Sequence, residues 1–177
     1  SEHVPLQASG PLELPPKVAL PEGGVLSLEV PVSTEGVYRV LAATPSGLFT
    51  ESNPLVVREE IPRLLWADLH GHSQLSDGTG TPEDYFAYAR DVAALDVIAL
   101  TDHDHWGLRF LDKNPGLFRT IEEAAARFDQ PGRFVALVGF EWTNWLQGHR
   151  HVLYFGGRAS ILGSLDPGYE DPRLLWK

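Results

Sequence analysis

The pattern of apolar and polar positions changes character once along this chain, near residue 60. Before that point the apolar residues come in short alternating runs. Leu26, Leu28, Val30 and Val32 fall on one face of an extended segment, followed by Tyr38, Val40 and Ala42 and then by residues 55–57. The turn-forming groups Glu22-Gly23-Gly24, Glu35-Gly36 and Pro45-Ser46-Gly47 separate these runs, and Pro-rich stretches bracket them. Period-two alternation between such turns predicts strands. Residues 1–60 therefore read as a small antiparallel β module, sandwich-like, with no visible chemistry and with His3 in a tail.

After Glu59-Glu60-Ile61-Pro62 the pattern becomes alternating strand and helix. Residues 64–69 read as a strand. Thr81-Pro82-Glu83-Asp84 then carries a helix start, with Thr as N-cap, Pro at the first helical position and an acidic residue three after the cap. That helix is predicted to run to about residue 95. The near-continuous apolar run 97–101 predicts a strand buried on both faces. A second helix is expected over 117–128, with strands at 134–140 and 151–155. Strand, helix, strand, helix, strand predicts a parallel α/β arrangement over residues 61–177, with its chemistry at the carboxyl ends of the strands.

The candidate chemistry sits at those ends. Six of the seven histidines fall in three His-x-His pairs: His70/His72, His103/His105 and His149/His151. Residues two apart on a strand point to one face, so each pair can deliver two imidazoles to one place. Carboxylates follow at Asp77 and Glu141. Neutral imidazoles mixed with carboxylates suit zinc, manganese or iron, whereas all-oxygen sites suit magnesium or calcium.

Composition narrows the picture further. The formal net charge is −10 and the pI about 5.0, which argues against a nucleic-acid binder, since such affinity comes from clustered Lys and Arg. Any phosphate handled here would have to be held by metal ions. With no cysteine, disulfides, thiolate-bound zinc and thiol nucleophiles are excluded. No apolar stretch approaches the roughly 20 residues that span a bilayer, so a soluble protein without a membrane partner is expected, cytoplasmic or exported. The chain has no methionine and begins at Ser1, which reads as a processed or engineered end.

The stretch Asp68-Leu69-His70-Gly71-His72-Ser73-Gln74-Leu75-Ser76-Asp77-Gly78, followed by Thr101-Asp102-His103, resembles the polymerase and histidinol phosphatase (PHP) superfamily of metallohydrolases. Glu141-Trp142-Thr143 and Gly148-His149-Arg150-His151-Val152 resemble its carbaryl-hydrolase-like branch, and Glu51-Ser52-Asn53-Pro54-Leu55 resembles the junction behind that branch's β-rich module. The resemblance covers roughly residues 50–158. Within the first 60 residues, Gly36-Val37-Tyr38 resembles the tyrosine-bearing strand of immunoglobulin-like domains.

The resemblance implies the N-terminal part of a distorted (β/α)7 barrel behind a small β module. It implies metal ligands at His70, His72, Asp77 and His103, with Glu141 bridging two metals. A further histidine ligand is His149 by one alignment and His151 by another, and both are retained. Two or three divalent transition metals per complete site would activate water as a metal-bound hydroxide. The expected function is a metal-dependent hydrolase, a phosphoesterase first, with carboxyl-ester or carbamate hydrolysis as the alternative on the same site. A non-catalytic scaffold with a degenerate site is the third reading. Expected partners are a small-molecule ester and a further C-terminal segment of the same enzyme, because the later ligands of the family, a histidine and an Asp-x-His motif, have no counterpart after His151. Without that segment, efficient turnover is not expected. Asp68 and Asp102 are read as orienting ligand histidines. Trp106, Trp142 and Trp145 are read as rim or pocket aromatics, and His105 is read as an outer contact or a surface residue.

Overall fold

The computed structural model describes residues 3–107, 109–156 and 159–175. The chain divides into two units, Ser1–Arg63 and Leu64–Lys177, a few residues beyond the change of pattern in the sequence.

Among the described residues the first unit holds six strands: β1 (His3–Ala8), β2 (Lys17–Ala19), β3 (Gly36–Tyr38), β4 (Val40–Ala43), β5 (Phe49–Glu51) and β6 (Leu55–Val57). They form a four-stranded antiparallel sheet in the order β2-β1-β4-β5 and a two-stranded antiparallel sheet of β3 and β6. The turn between β4 and β5 closes through Thr44 N–H to Leu48 O at 2.7 Å, and Gly47 occupies φ +88°, open to a residue without Cβ. Tyr38 is buried and its hydroxyl donates to Thr34 O at 2.7 Å. That bond to the backbone a few residues upstream is the device of the tyrosine corner.

Two expectations are corrected here. The alternating run 26–32 forms no strand, and Val25, Leu26 and Leu28 are exposed. Alternation stabilises a strand only when a neighbouring edge accepts its backbone groups, and among the described residues no strand pairs with this segment. His3 is no tail; it lies in β1 opposite Ala19.

The second unit is a mixed α/β layer: β7 (Ala67–Asp68), α1 (Pro82–Asp91), β8 (Val97–Leu100), α2 (Pro115–Phe128), β9 (Val135–Trp142) and β10 (Arg150–Tyr154). The sheet order is β10-β9-β8-β7, open rather than closed into a barrel among the described residues. Strands β7, β8 and β9 run parallel, and β10 runs antiparallel to β9. The wholly parallel expectation thus fails at the edge. A parallel return needs a crossover of a dozen or more residues, and residues 143–149 are too few.

Helix α1 begins as expected, with a complete capping box between Thr81 and Asp84. It stops at Asp91 rather than near 95. Ala94 adopts φ +52° and Leu95 N–H turns back to Ala89 O at 3.0 Å. The strand expected over 64–69 shrinks to Ala67–Asp68, because it lies at the sheet edge with Leu64, Leu65 and Trp66 facing solvent. Both helices pack on each other, α1 against β8 and α2 against β9. Phe86, Ile98, Leu100, Ile121, Phe134, Phe140 and Trp142 form the core that fixes the sheet beneath the site.

Candidate metal centre

Register builds the centre. Glu141 lies in β9, directly opposite His151 of β10, and His103 makes an isolated parallel bridge with Glu141 from the other side. The carboxylate is therefore flanked by histidine-bearing segments on both neighbouring strands. His70 and His72 enter from the segment after β7, and His149 precedes β10.

The seven residues form three overlapping groups. His70, Glu141 and His151 make one; His72, Asp77 and His103 make the second; His103, Glu141 and His149 make the third. Within each group one nitrogen or oxygen of every residue lies within 4.8 Å of the others. His70 stacks on His151 with ring centroids 4.0 Å apart, and His72 meets His103 edge-on at 4.4 Å. Both alternatives for the last histidine reach Glu141's surroundings. His149 Nδ1 stands 2.7 Å from Glu141 Oε1, while His151 joins His70 across the sheet.

The donors of each group lie close enough together to gather round a divalent ion. Two donors held about 2.1 Å from one ion lie roughly 3.0–3.4 Å apart in octahedral or tetrahedral geometry. Around Glu141, His72 Nε2 at 2.8 Å and His149 Nδ1 at 2.7 Å stand at hydrogen-bond length, a few tenths of an ångström inside that range. His103 Nε2 stands 3.7 Å from Asp77 Oδ2, and Asp77 also bonds His72 Nδ1 through its other oxygen. Glu141 turns Oε1 to His149 and Oε2 to His72 and His103, so its two oxygens serve different neighbours.

The electrostatics keep these groups in ligand form. Burial pushes the His103 imidazole below its ordinary value against the opposing pull of Glu141. His151 is lowered by burial and then by the His70 ring beside it. The hydrogen bond from His72 draws the Asp77 carboxyl below the usual carboxylate range. Neutral imidazoles and an ionised carboxylate are the states that offer lone pairs to a cation.

Two glycines of the first motif lie in close quarters. A Cβ on Gly71 would lie 2.2 Å from the Tyr85 hydroxyl oxygen, and one on Gly78 would lie 2.1 Å from His72 O. At Gly78 the clash is with backbone, so a side chain there would displace the segment that carries His72 and Asp77, whereas at Gly71 the Tyr85 side chain would have to give way.

Several readings change. His105 does not join its partner His103. It is buried on the other side, with Nδ1 3.0 Å from Asp104 Oδ1 and 2.8 Å from Ser164 Oγ. Residues 103–105 form no continuous strand, so the rule that positions two apart share a face does not apply. Among the described residues Asp102 holds no imidazole. Its buried carboxylate accepts from Ser73 N–H at 2.8 Å, Ser73 Oγ at 2.7 Å and Ser76 Oγ at 2.6 Å, which fixes the loop leading to Asp77. Asp68 accepts the backbone N–H of His70, at 3.2 Å. Trp142 is buried, with Nε1 donating to Tyr169 O at 2.9 Å. Trp106 and Trp145 do flank the centre: their rings are 5.0 Å apart, 5.7 Å from His103 and 5.4 Å from His149 respectively.

Sequence reasoning missed a set of buried outer groups: Thr101, Asp104, Thr143 and Ser164. The i, i+2 spacing that marks histidine pairs also links Thr101 to His103 and Glu141 to Thr143, and that signal would have found the two threonines.

Comparison with known proteins finds relatives of which this chain is a part-length counterpart. An uncharacterized protein of Chlamydia pneumoniae is 26% identical over 140 residues, covering 76% of this chain and 22% of its own length. Uncharacterized proteins of Chlamydia muridarum and Chlamydia trachomatis serovar D are 29% and 30% identical over 129 residues, covering 71% of this chain and 20% of their lengths. The chain thus spans about a fifth of the curated relatives it matches. No protein-family model matches it, and no solved structure does.

Proposed function

We propose that the second unit is a section of a PHP-like distorted barrel and carries a metal-dependent hydrolase centre, acting first of all on phosphate esters. The observation that carries this reading is the overlap of three histidine–carboxylate groups at Glu141 and His103. Isolated surface clusters of acids and histidines have no reason to share a buried carboxylate flanked by both neighbouring strands.

His70 and His151 with Glu141, His72 and His103 with Asp77, and His149 with Glu141 would hold two or three zinc, manganese or iron ions. Bound there, such ions lower the pKa of water to about 7 and neutralise charge on an ester oxygen. The chain's own residues do the rest. Glu141 is buried and faces different histidines with its two oxygens, which suits it to join neighbouring positions. Asp102 keeps Asp77 in place through the 73–76 loop. His70, Asp77 and His151 are exposed, so the centre is open to a substrate. In a chain of net charge −10, attraction of an anionic ester would fall to the cations.

Carboxyl-ester or carbamate hydrolysis is the second reading. It is favoured by the exposed Trp106–Trp145 pair beside His103 and His149, since an aromatic wall binds an organic group through its ring faces.

The test is uptake and turnover by the purified full-length protein, including the C-terminal segment expected above, stripped with chelator and reloaded with Zn2+ or Mn2+. Expected are more than one metal per chain and hydrolysis of chromogenic phosphomonoesters or phosphodiesters, with both lost in Glu141→Gln. Carboxyl-ester turnover alone would transfer the assignment to the second reading. Failure to bind metal would overturn both in favour of a scaffold.

A further inference from the structure

The proton positions on two of the centre's histidines follow from the hydroxyls behind them. His103 Nδ1 has two near neighbours, Thr143 Oγ1 at 2.7 Å and Glu141 Oε2 at 3.3 Å. Thr143 Oγ1 donates its single proton to Glu141 O at 3.0 Å, so toward the imidazole it acts as acceptor. The carboxylate oxygen is an acceptor as well. Both neighbours demand a proton on Nδ1. Nε2 then carries the lone pair, and it faces Asp77 Oδ2 at 3.7 Å, an arrangement of two acceptors that a cation between them would satisfy.

The same device recurs one strand away. His70 Nδ1 lies 3.0 Å from Thr101 Oγ1, which donates to Gly71 O at 3.3 Å and accepts from Gly71 N–H at 3.2 Å. Thr101 and Thr143 each occupy the first position past a strand, β8 and β9 respectively. Both are buried, at 0% and 1% exposure, so water does not compete for their hydroxyls. Thr143 is itself held by its backbone N–H, which donates to the buried Asp104 carboxylate at 3.0 Å.

We propose that Thr143 and Thr101 are positioning residues whose hydroxyls hold His103 and His70 as Nδ1–H tautomers and so present Nε2 of each ring to the metal positions. This rests on the metal reading of the site, but the tautomers themselves belong to the metal-free chain and are measurable without it. An outer partner that fixes the tautomer of a ligand histidine raises metal affinity, and its loss costs roughly 10–100-fold.

The experiment pairs Thr143→Val and Thr101→Val, which keep the shape and remove the hydroxyl, with Thr143→Ser and Thr101→Ser, which keep it. Long-range proton–nitrogen correlation spectra of the metal-free protein labelled with 15N-histidine, above neutral pH, read which ring nitrogen carries the proton. His70→Gln and His103→Gln assign the two rings. Nδ1–H is expected for both rings in the wild type and in the serine variants. Each valine variant should convert its own ring to the Nε2–H form or to a mixture. Competition for Zn2+ against a chromophoric chelator should show roughly 10–100-fold weaker binding in the valine variants, with wild-type affinity retained in the serine variants. A wild-type spectrum with the proton on Nε2 of either ring would overturn the proposal, and needs no variant to fold. So would serine variants that behave like the valine ones, or valine variants with unchanged tautomer and affinity. Wild-type protein that showed both Nδ1–H tautomers yet bound no Zn2+ would uphold the hydroxyl assignment and overturn the metal reading.

Discussion

Glu141 is the residue on which the candidate centre converges, and the two histidines that follow it have different neighbours there. Because His149 approaches Oε1 while His151, opposite Glu141 in the β9–β10 register, stacks its ring on His70, their alanine variants should not behave as alternatives. Each is expected to lose part of the bound metal, and Glu141→Gln, which weakens two of the three groups at once, should lose more than either. Metal analysis after dialysis checks this ordering. Equal, full retention in both histidine variants would remove them from the ligand set. The acid response is set by the same side chains. His103 and His151 have lowered values in the folded chain, so between those values and about 6.5 the unfolded chain binds more protons than the folded one. Stability of the metal-free protein is therefore expected to fall as pH drops below about 6.5. The share from Asp77, lowered by His72, is present above the ordinary carboxylate value and is lost as pH falls through its lower folded value. Denaturant midpoints at pH 5.5 and 7.5 check the sign: the midpoint at 5.5 should be lower.

Among the elements, α1 is held at its start by local chemistry and along its length by burial. Thr81 Oγ1 accepts Asp84 N–H at 3.1 Å, and the Asp84 carboxylate returns to Thr81 N–H at 2.9 Å. Thr81→Ala should cost about 1 kcal/mol, whereas Phe86→Ala, at a fully buried position against β8 and α2, should cost roughly 3–5 kcal/mol. Urea denaturation measures both. The order of the two effects distinguishes a helix stabilised mainly by packing from one stabilised mainly by its cap. The capping box was legible because it is written within four consecutive residues. The early stop at Asp91 was not, because Ala94 carries no signal for the left-handed backbone it adopts. At the first unit's 26–32 run the alternating pattern was present and no edge received it. At β10 the histidine pair was visible, but the direction of the strand depended on the length of the connection from β9.

For the molecule as a whole, the two units should respond differently to metal. An ion bound only by the folded second unit stabilises it by about 2.7 kcal/mol at a hundredfold excess over Kd. Hydrogen exchange should therefore slow across β8, β9 and the segments 70–77 and 149–154 on adding Zn2+. The strands from His3–Ala8 to Leu55–Val57 should be unchanged. Uniform slowing in both units would place the effect outside the proposed centre. The position of the boundary, the helix starts, the apolar strands β8 and β9 and the identity of seven metal-ligand candidates were all readable from residue order, because each is a local spacing or a local composition. The roles of neighbouring residues were not. Whether His105 faces its partner or Ser164, whether Asp102 holds an imidazole or a loop, and whether His149 or His151 reaches the carboxylate depend on which strands lie side by side and in what register. Register here joins residues about forty positions apart, as His103 to Glu141 and Thr143, and only folding brings them into reach.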